Sequence, residues 1–187
     1  MAKAFRYILQ GDETIFHFIN SKVKCRILDV LMPIVTHLGS ACFTIVFALA
    51  ALYTYWKTER VIAVYAATSL ASSHIIIHFI KKAVDRPRPN ITLSNVHTFN
   101  IPLYNYSFPS GHTTAAFSVA VSAAFLLPAF ATIAIILAAL VGFSRIYLGV
   151  HYPTDVIIGA FIGSTTAMFV KSILDYYFYT GSSIIIT

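Results

Sequence analysis

Residues 109–155 read PSGHTTAAFSVAVSAAFLLPAFATIAIILAALVGFSRIYLGVHYPTD. No Asp, Glu, Lys or Arg occurs from Pro89 to Ser144. A helix crossing a hydrocarbon core of ~30 Å needs about 20 mostly apolar residues. Pro128 divides the run, so the stretch reads as two spans. One opens at Pro109-Ser110, with Ser110 as N-cap, and ends near Leu127-Pro128; the other covers about 130–147. Pro153, suited to the first turn of a helix, opens a further span over about 153–175.

The flanking sequence extends this pattern. Charge-free runs also cover Val30 to Trp56, Val61 to Ile80 and Val156 to Val170. Residues 27–56 would reach ~45 Å as one helix, too long for an upright span. Pro33 and Gly39-Ser40 offer a break, so a short interfacial or re-entrant piece should precede a span over about 41–57. The polar turn Lys57-Thr58-Glu59-Arg60 leads to a span over about 61–83. Residues 3–24 mix Phe5, Ile8, Ile15, Phe16, Phe18 and Ile19 with charge, the pattern of an interfacial amphipathic helix. Residues 86–108 form the longest polar connection. The expected fold is all-α: a polytopic membrane helix bundle of about five to six spans. It forms one domain, with an interfacial segment 1–26, a bundle 27–175 and a C-terminal tail 176–187.

Composition excludes the alternatives. Of 187 residues, 58% are hydrophobic and 11% charged, against about 45–50% and about 25% in soluble domains. Mean hydropathy is +0.76. A soluble domain of this size could not hide so much apolar surface. Disordered chains are poor in apolar residues, and a long coiled coil carries more charge and fewer aromatics. The net charge of +6 points to anionic lipid or phosphate before nucleic acid. Cys25 and Cys42 show neither metal spacing nor a disulfide framework. No cleavable signal is expected, since Asp12 and Glu13 follow Lys3 and Arg6 without a sustained apolar stretch.

Because spans alternate in direction, the ends near residues 81–110 and 144–155 fall on one face. That places Lys81, Arg88, His112, Arg145, His151 and Asp155 together. Ionisable groups at span ends, facing into a bundle, are functional candidates. Lys81, Arg88 and Arg145 supply three cations, and arginine's fork matches phosphate oxygens two at a time. Ser110 and Gly111 present backbone amides where a helix begins, a ready anion site, and Gly111 allows close approach. His151 and Asp155 are four apart at a helix start, so the carboxylate can orient the imidazole. A neutral imidazole can attack phosphorus directly and form a phosphohistidine. His112 would protonate the leaving oxygen and then take a proton from water. The cations and amides would stabilise charge where many phosphatases use a metal, so no metal and no cofactor is expected.

These residues also carry a family resemblance. Lys81, six residues, then Arg88-Pro89; Pro109-Ser110-Gly111-His112; and Ser144-Arg145, five residues, His151, three residues, Asp155 together resemble the three-part signature of the type 2 phosphatidic acid phosphatase superfamily. The match is complete in order and spacing. It implies an all-helical fold, His151 as nucleophile, Asp155 as its partner and His112 as acid/base. Lys81, Arg88, Ser110, Gly111 and Arg145 would hold the phosphoryl group, and no metal would be needed. The implied partner is a membrane lipid with a phosphate or pyrophosphate headgroup, undecaprenyl pyrophosphate or phosphatidylglycerol phosphate being favoured. The implied location is a bacterial cytoplasmic membrane, multi-pass, with the site facing outward. Oligomeric state is not readable.

Other residues are expected to be structural. His37, His74 and His78 read as packed or interhelical hydrogen-bonding residues, although His74 and His78 share the i, i+4 spacing of metal ligands. His17 and His97 read as surface residues. Lys82 and Arg86 read as headgroup anchors, Asp85 as the partner of a neighbouring cation, and Tyr176 to Tyr179 as an interface belt. Tyr104 and Tyr106 read as interfacial anchors within reach of a headgroup. Charge bias opposes the outward placement: Lys3, Arg6, Lys22, Lys24, Arg26, Lys81, Lys82, Arg86, Arg88 and Arg145 lie on the active face, and Lys57, Arg60 and Lys171 opposite. Half of the larger group belongs to the site or borders it, which weakens the bias.

Overall fold

A computed structural model describes residues 2–58, 60–99 and 106–180. Among these there are helices and no strands: α1 Ala2–His17, α2 Arg26–Val35, α3 Ala41–Tyr55, α4 Arg60–Val84, the single turn α5 Pro89–Thr92, α6 Gly111–Leu126, α7 Ala131–Tyr147 and α8 Pro153–Asp175. The expected boundaries at 41–57, 61–83, 130–147 and 153–175 are met within two residues.

The break in the long first apolar stretch has a local cause. Pro33 lies inside α2 and cannot donate to the helix ladder. The chain tightens into a 3₁₀ turn, Thr36–Gly39, and Ser40 becomes extended with ψ 154°. The Ser40 hydroxyl then accepts the Phe43 amide at 3.3 Å and starts α3. The α2–turn–α3 unit bends by 47°, as a broken span or re-entrant loop does. Pro128–Tyr147 and Pro153–Phe178 are each long and apolar enough to cross a membrane; the bent pair makes a third if taken as one span. The 25-residue α4 and the shorter apolar α6 complete the bundle.

Helix α6 runs through the middle, packed against α8, α7, α4 and α3. Its buried residues are all small: Thr113, Thr114, Ala115, Ala116, Ser118, Ala120 and Ser122. Small residues let helix backbones approach where lipid provides no hydrophobic drive between helices. The tightest approach is to α8. A Cβ on Gly163 would lie 2.3 Å from the Thr114 carbonyl oxygen, and one on Gly159 would lie 2.8 Å from that of Ser110. Large apolar side chains face outward instead, among them Phe169, Phe161 and Ile157, each more than 60% exposed. Small groups inside and large apolar groups outside are the pattern of a chain whose solvent is lipid.

Three residues of the N-terminal segment, one per four positions, are buried against the bundle: Asp12, Phe16 and Asn20. Phe16 packs on Tyr152 (ring centroids 5.8 Å apart). The Asn20 amide donates to the carbonyls of His97 and Tyr147 at 2.9 and 2.8 Å, and its carbonyl accepts the His97 amide. The segment thus straps the end of the bundle that carries the signature residues. The expected tail beyond residue 180, Glu59 of the polar turn and Tyr104 lie outside the described residues.

Candidate active site

The close α6–α8 packing brings the head of α6 to the first turn of α8. There the Ser110 amide donates to the Asp155 carbonyl at 3.0 Å. This corrects two expectations for Ser110. It holds the N-cap position, but its hydroxyl accepts from the Thr113 side chain rather than from a helix amide. Its own amide is already spent, so the remaining amides at the head of α6 begin with Gly111 and His112, in the turn that lacks intrahelical acceptors. The Lys81 ammonium stands over this helix end, 3.6 Å from where a Gly111 Cβ would sit.

The loop 148–152 presents His151. Its backbone amide and that of Val150 both donate to the Arg145 carbonyl at 3.2 Å, tying the histidine to the end of α7. Asp155 stands in the first turn of α8, where a carboxylate suits the helix dipole. It accepts the Tyr152 amide on Oδ2 at 2.9 Å. The same oxygen lies 3.5 Å from His151 Nδ1, too long for an ordinary N–H···O bond. The carboxylate is therefore aimed at the ring but not bonded to it. On the other side of the ring, Arg88 Nη1 approaches Nε2 at 3.3 Å and donates to the Val150 carbonyl at 2.9 Å. His151 is 2% exposed and Asp155 fully buried. Burial, reinforced by the cations of Arg145, Arg88 and Lys81, holds the imidazole well below its ordinary value of 6.5, so it is neutral at pH 7. A donor on Nε2 requires the lone pair there and leaves the proton on Nδ1, facing Asp155.

Arg145, 4% exposed, donates to the Thr36 hydroxyl at 2.8 Å, and its Nε has no partner among the described residues. Gly39 seats this kink on α6: a Cβ there would lie 2.6 Å from the His112 carbonyl oxygen. His112 is half-buried and lies within electrostatic reach of Arg145, His151, Lys81 and His37. All eight signature residues therefore gather at one end of the bundle. Among the described residues, no carboxylate lies within ion-pair distance of Lys81 or Arg145. Two cations without an acidic partner beside a neutral imidazole form a receptor for an anion.

Several further expectations are corrected. Arg86 is not a headgroup anchor. Its Nη1 donates to Asp155 Oδ1 and the Thr154 hydroxyl, both at 2.8 Å, and its Nη2 to Asp12 at 2.6 Å. Asp85 is exposed, in a left-handed conformation (φ 46°), and no cation pairs with it among the described residues. His37, His74 and His78 all face outward; His74 contacts the Leu70 carbonyl of its own helix at 3.0 Å. Lys82, Tyr176 and Tyr177 are exposed as anchors should be, and Tyr106 is half-buried. The sequence reading missed Asp12, Arg86 and Thr36. The recurrence Asp12, Phe16, Asn20 was an available signal; Thr36 had none.

A lipid-facing helical bundle with a cation-lined imidazole at one end defines an integral-membrane phosphatase of lipid phosphates. The chain belongs to the PAP2 superfamily, whose sequence model matches residues 62–179. It is 32% identical over 83% of its length, and 76% of the relative's, to the "Bacitracin transport permease protein BcrC" of Bacillus licheniformis. It is 30% identical over 70% of its length, and 67% of the relative's, to the "Undecaprenyl-diphosphatase BcrC" of Bacillus subtilis. Its structure resembles the crystal structure of the transmembrane PAP2-type phosphatidylglycerolphosphate phosphatase from Bacillus subtilis, with a TM-score of 0.75 and 29% identity, covering 89% of this chain and 86% of that one.

Proposed function

We propose that the protein dephosphorylates a membrane lipid phosphate or pyrophosphate through a phosphohistidine on His151, without a metal. The observation that carries this reading is the pairing of a buried, neutral imidazole with two cations that have no acidic partner among the described residues. The phosphoryl group enters between Arg88 and the ring, and its oxygens take up Arg88, Arg145, Lys81 and the amides of Gly111 and His112. The Nε2 lone pair attacks phosphorus while the bond from phosphorus to the lipid-side oxygen breaks. His112 gives that oxygen a proton. The imidazolium is then steadied by Asp155. Water attacks the phosphohistidine, His112 takes its proton, the P–N bond returns its electrons to Nε2, and inorganic phosphate leaves. Guanidinium, ammonium and amide groups oppose the developing charge throughout.

Two substrates are favoured, undecaprenyl pyrophosphate and phosphatidylglycerol phosphate; the names of two relatives support them. We propose the outer face of a bacterial cytoplasmic membrane for the site, as the family resemblance implies. The name of the Bacillus licheniformis relative supports one competitor, a lipid-phosphate carrier without turnover. The deciding experiment is phosphate release in detergent with excess chelator. The panel holds the two lipids, phosphatidic acid and diacylglycerol pyrophosphate, with rapid quench of a ³²P-labelled substrate in alkaline detergent, which preserves a P–N bond. Turnover, vanadate inhibition and an acid-labile protein-bound phosphate lost in His151→Ala are expected. Substrate binding without phosphate release favours the carrier, and turnover that survives His151→Ala refutes the phosphohistidine.

A further inference from the structure

We infer that Arg86 and Asp12 are positioning residues for Asp155, and that α1 is thereby part of the catalytic apparatus; this rests on the role proposed above for Asp155. Both Asp155 oxygens are held away from free rotation: Oδ1 by Arg86 at 2.8 Å and Oδ2 by the Tyr152 amide at 2.9 Å. Arg86 fixes the carboxylate from the side opposite His151. Its own plane is fixed in turn. The guanidinium stacks on the Tyr152 ring, 3.9 Å from the centroid. Its second nitrogen is anchored by Asp12, which is 3% exposed. Asp12 also accepts the Thr154 amide at 2.8 Å and the Thr154 hydroxyl at 2.5 Å, so one carboxylate of α1 caps α8 and anchors the arginine together.

Docking α1 does not require this arrangement. Phe16 already buries an aromatic ring against Tyr152, and a buried ion pair adds little stability over apolar packing. What the arrangement supplies is a fork that bridges two carboxylates in a fixed plane. Guanidinium can do this; ammonium, a point charge, cannot. The bridge runs from α1 to the carboxylate behind the proposed nucleophile.

The test compares Arg86→Gln, Asp12→Asn, the double variant and Arg86→Lys with wild type and His151→Ala, in detergent with chelator. It reads kcat, KM and the vanadate inhibition constant. Arg86→Gln and Asp12→Asn should each lower kcat roughly tenfold to a hundredfold, the scale of losing a charged hydrogen bond. KM and vanadate affinity should hold, since the described hydrogen bonds of Arg86 go to Asp155, Thr154 and Asp12 and not to the phosphate-facing cations. The double variant should lose no more than Arg86→Gln alone, because both act on one carboxylate. Arg86→Lys should recover part of kcat and keeps the test open if Arg86→Gln does not fold. Wild-type kcat in Arg86→Gln, parallel loss of kcat and vanadate affinity, or additive losses in the double variant overturn the inference. Full turnover in His151→Ala would instead remove the reading of the site on which it rests.

Discussion

Thr36→Val isolates the hold on Arg145, one of the cations proposed above to bind the phosphoryl group. Arg145 is 4% exposed, and among the described residues its side chain donates to the Thr36 hydroxyl at 2.8 Å. Valine keeps the volume and removes only the acceptor. A hydrogen bond to a charged group contributes about 1.5–3 kcal/mol, and ~1.4 kcal/mol is a factor of ten. If the bond serves to aim the guanidinium, kcat/KM and vanadate affinity should fall together, by roughly 10- to 150-fold. Thr36→Ser keeps the acceptor and should stay near wild type. The assay is phosphate release in detergent, with vanadate titrated against each variant and thermal unfolding followed alongside. A Thr36→Val protein that binds vanadate like wild type at an unchanged unfolding temperature would refute the reasoning, because Arg145 would then be aimed by something other than the kink.

Replacing His151 by Asn should flatten the acid side of the stability curve. Above pH 6.5 the ring is neutral folded and unfolded, and contributes nothing. Below it, the unfolded chain takes up a proton that the buried ring refuses, so stability falls by up to ~1.4 kcal/mol per pH unit until the folded value is reached. Unfolding temperatures of both proteins from pH 7.5 to 5 measure this; parallel slopes would contradict a neutral buried ring. Gly163→Ala puts a methyl 2.3 Å from the Thr114 carbonyl and should cost about 1–3 kcal/mol. Gly11→Ala, with nothing within 4 Å, should not destabilise; equal unfolding temperatures for the two would show that the α6–α8 contact is loose. Ser94→Cys, with the exposed Cys25 and Cys42 changed to Ser, should react with an impermeant maleimide on intact cells, whereas reaction only after permeabilisation would turn the site to the cytoplasm.

Much of the fold was legible because lipid makes a simple demand. Charge-free runs of span length, ended by Pro128 and Pro153 and broken at Pro33 and Gly39-Ser40, set helix boundaries that the structure keeps. The site was legible where its residues lie at fixed spacings along one chain segment. It was not legible where partners come from distant segments. Arg86 and Arg88 are two residues apart and chemically alike, yet one turns toward the Asp155 carboxylate and the other toward the His151 ring. Local sequence does not distinguish them; the position of Asp12, 74 residues earlier, does. The same holds for Thr36, whose role depends on how the kink lands on α6. At Ser110 the local rule for caps placed the helix start, but it could not foresee that the Thr113 hydroxyl donates to the side chain or that α8 takes the Ser110 amide. The histidines of α4 were expected inside because polar groups avoid lipid. They face outward, and the buried face of α4 is made by Tyr65, Leu70, Ser73 and Ile77 instead.

That interior also bears on what the enzyme can select. Helix α6 is buried through small residues, with α8 packed against its backbone. The apolar cavities lie on the outer surface, about 160 Å³ between α3, α6 and α7 and about 330 Å³ between α3 and α4, both lined almost wholly by aliphatic and aromatic side chains. Such open grooves hold a tail through area alone, which scarcely distinguishes one hydrocarbon from another. The proposed phosphoryl site is the opposite: cations at fixed positions, a neutral ring between an arginine and a carboxylate, and helix amides at one edge. A missing or misplaced charge there leaves a buried partner unpaired, which is costly. Discrimination should therefore follow the headgroup, its charge and the number of its phosphates, with chain length a weak variable. The cations stand at the ends of helices, so under the proposed mechanism a headgroup at the end of the bundle reaches His151 while its tail stays beside the apolar outer faces.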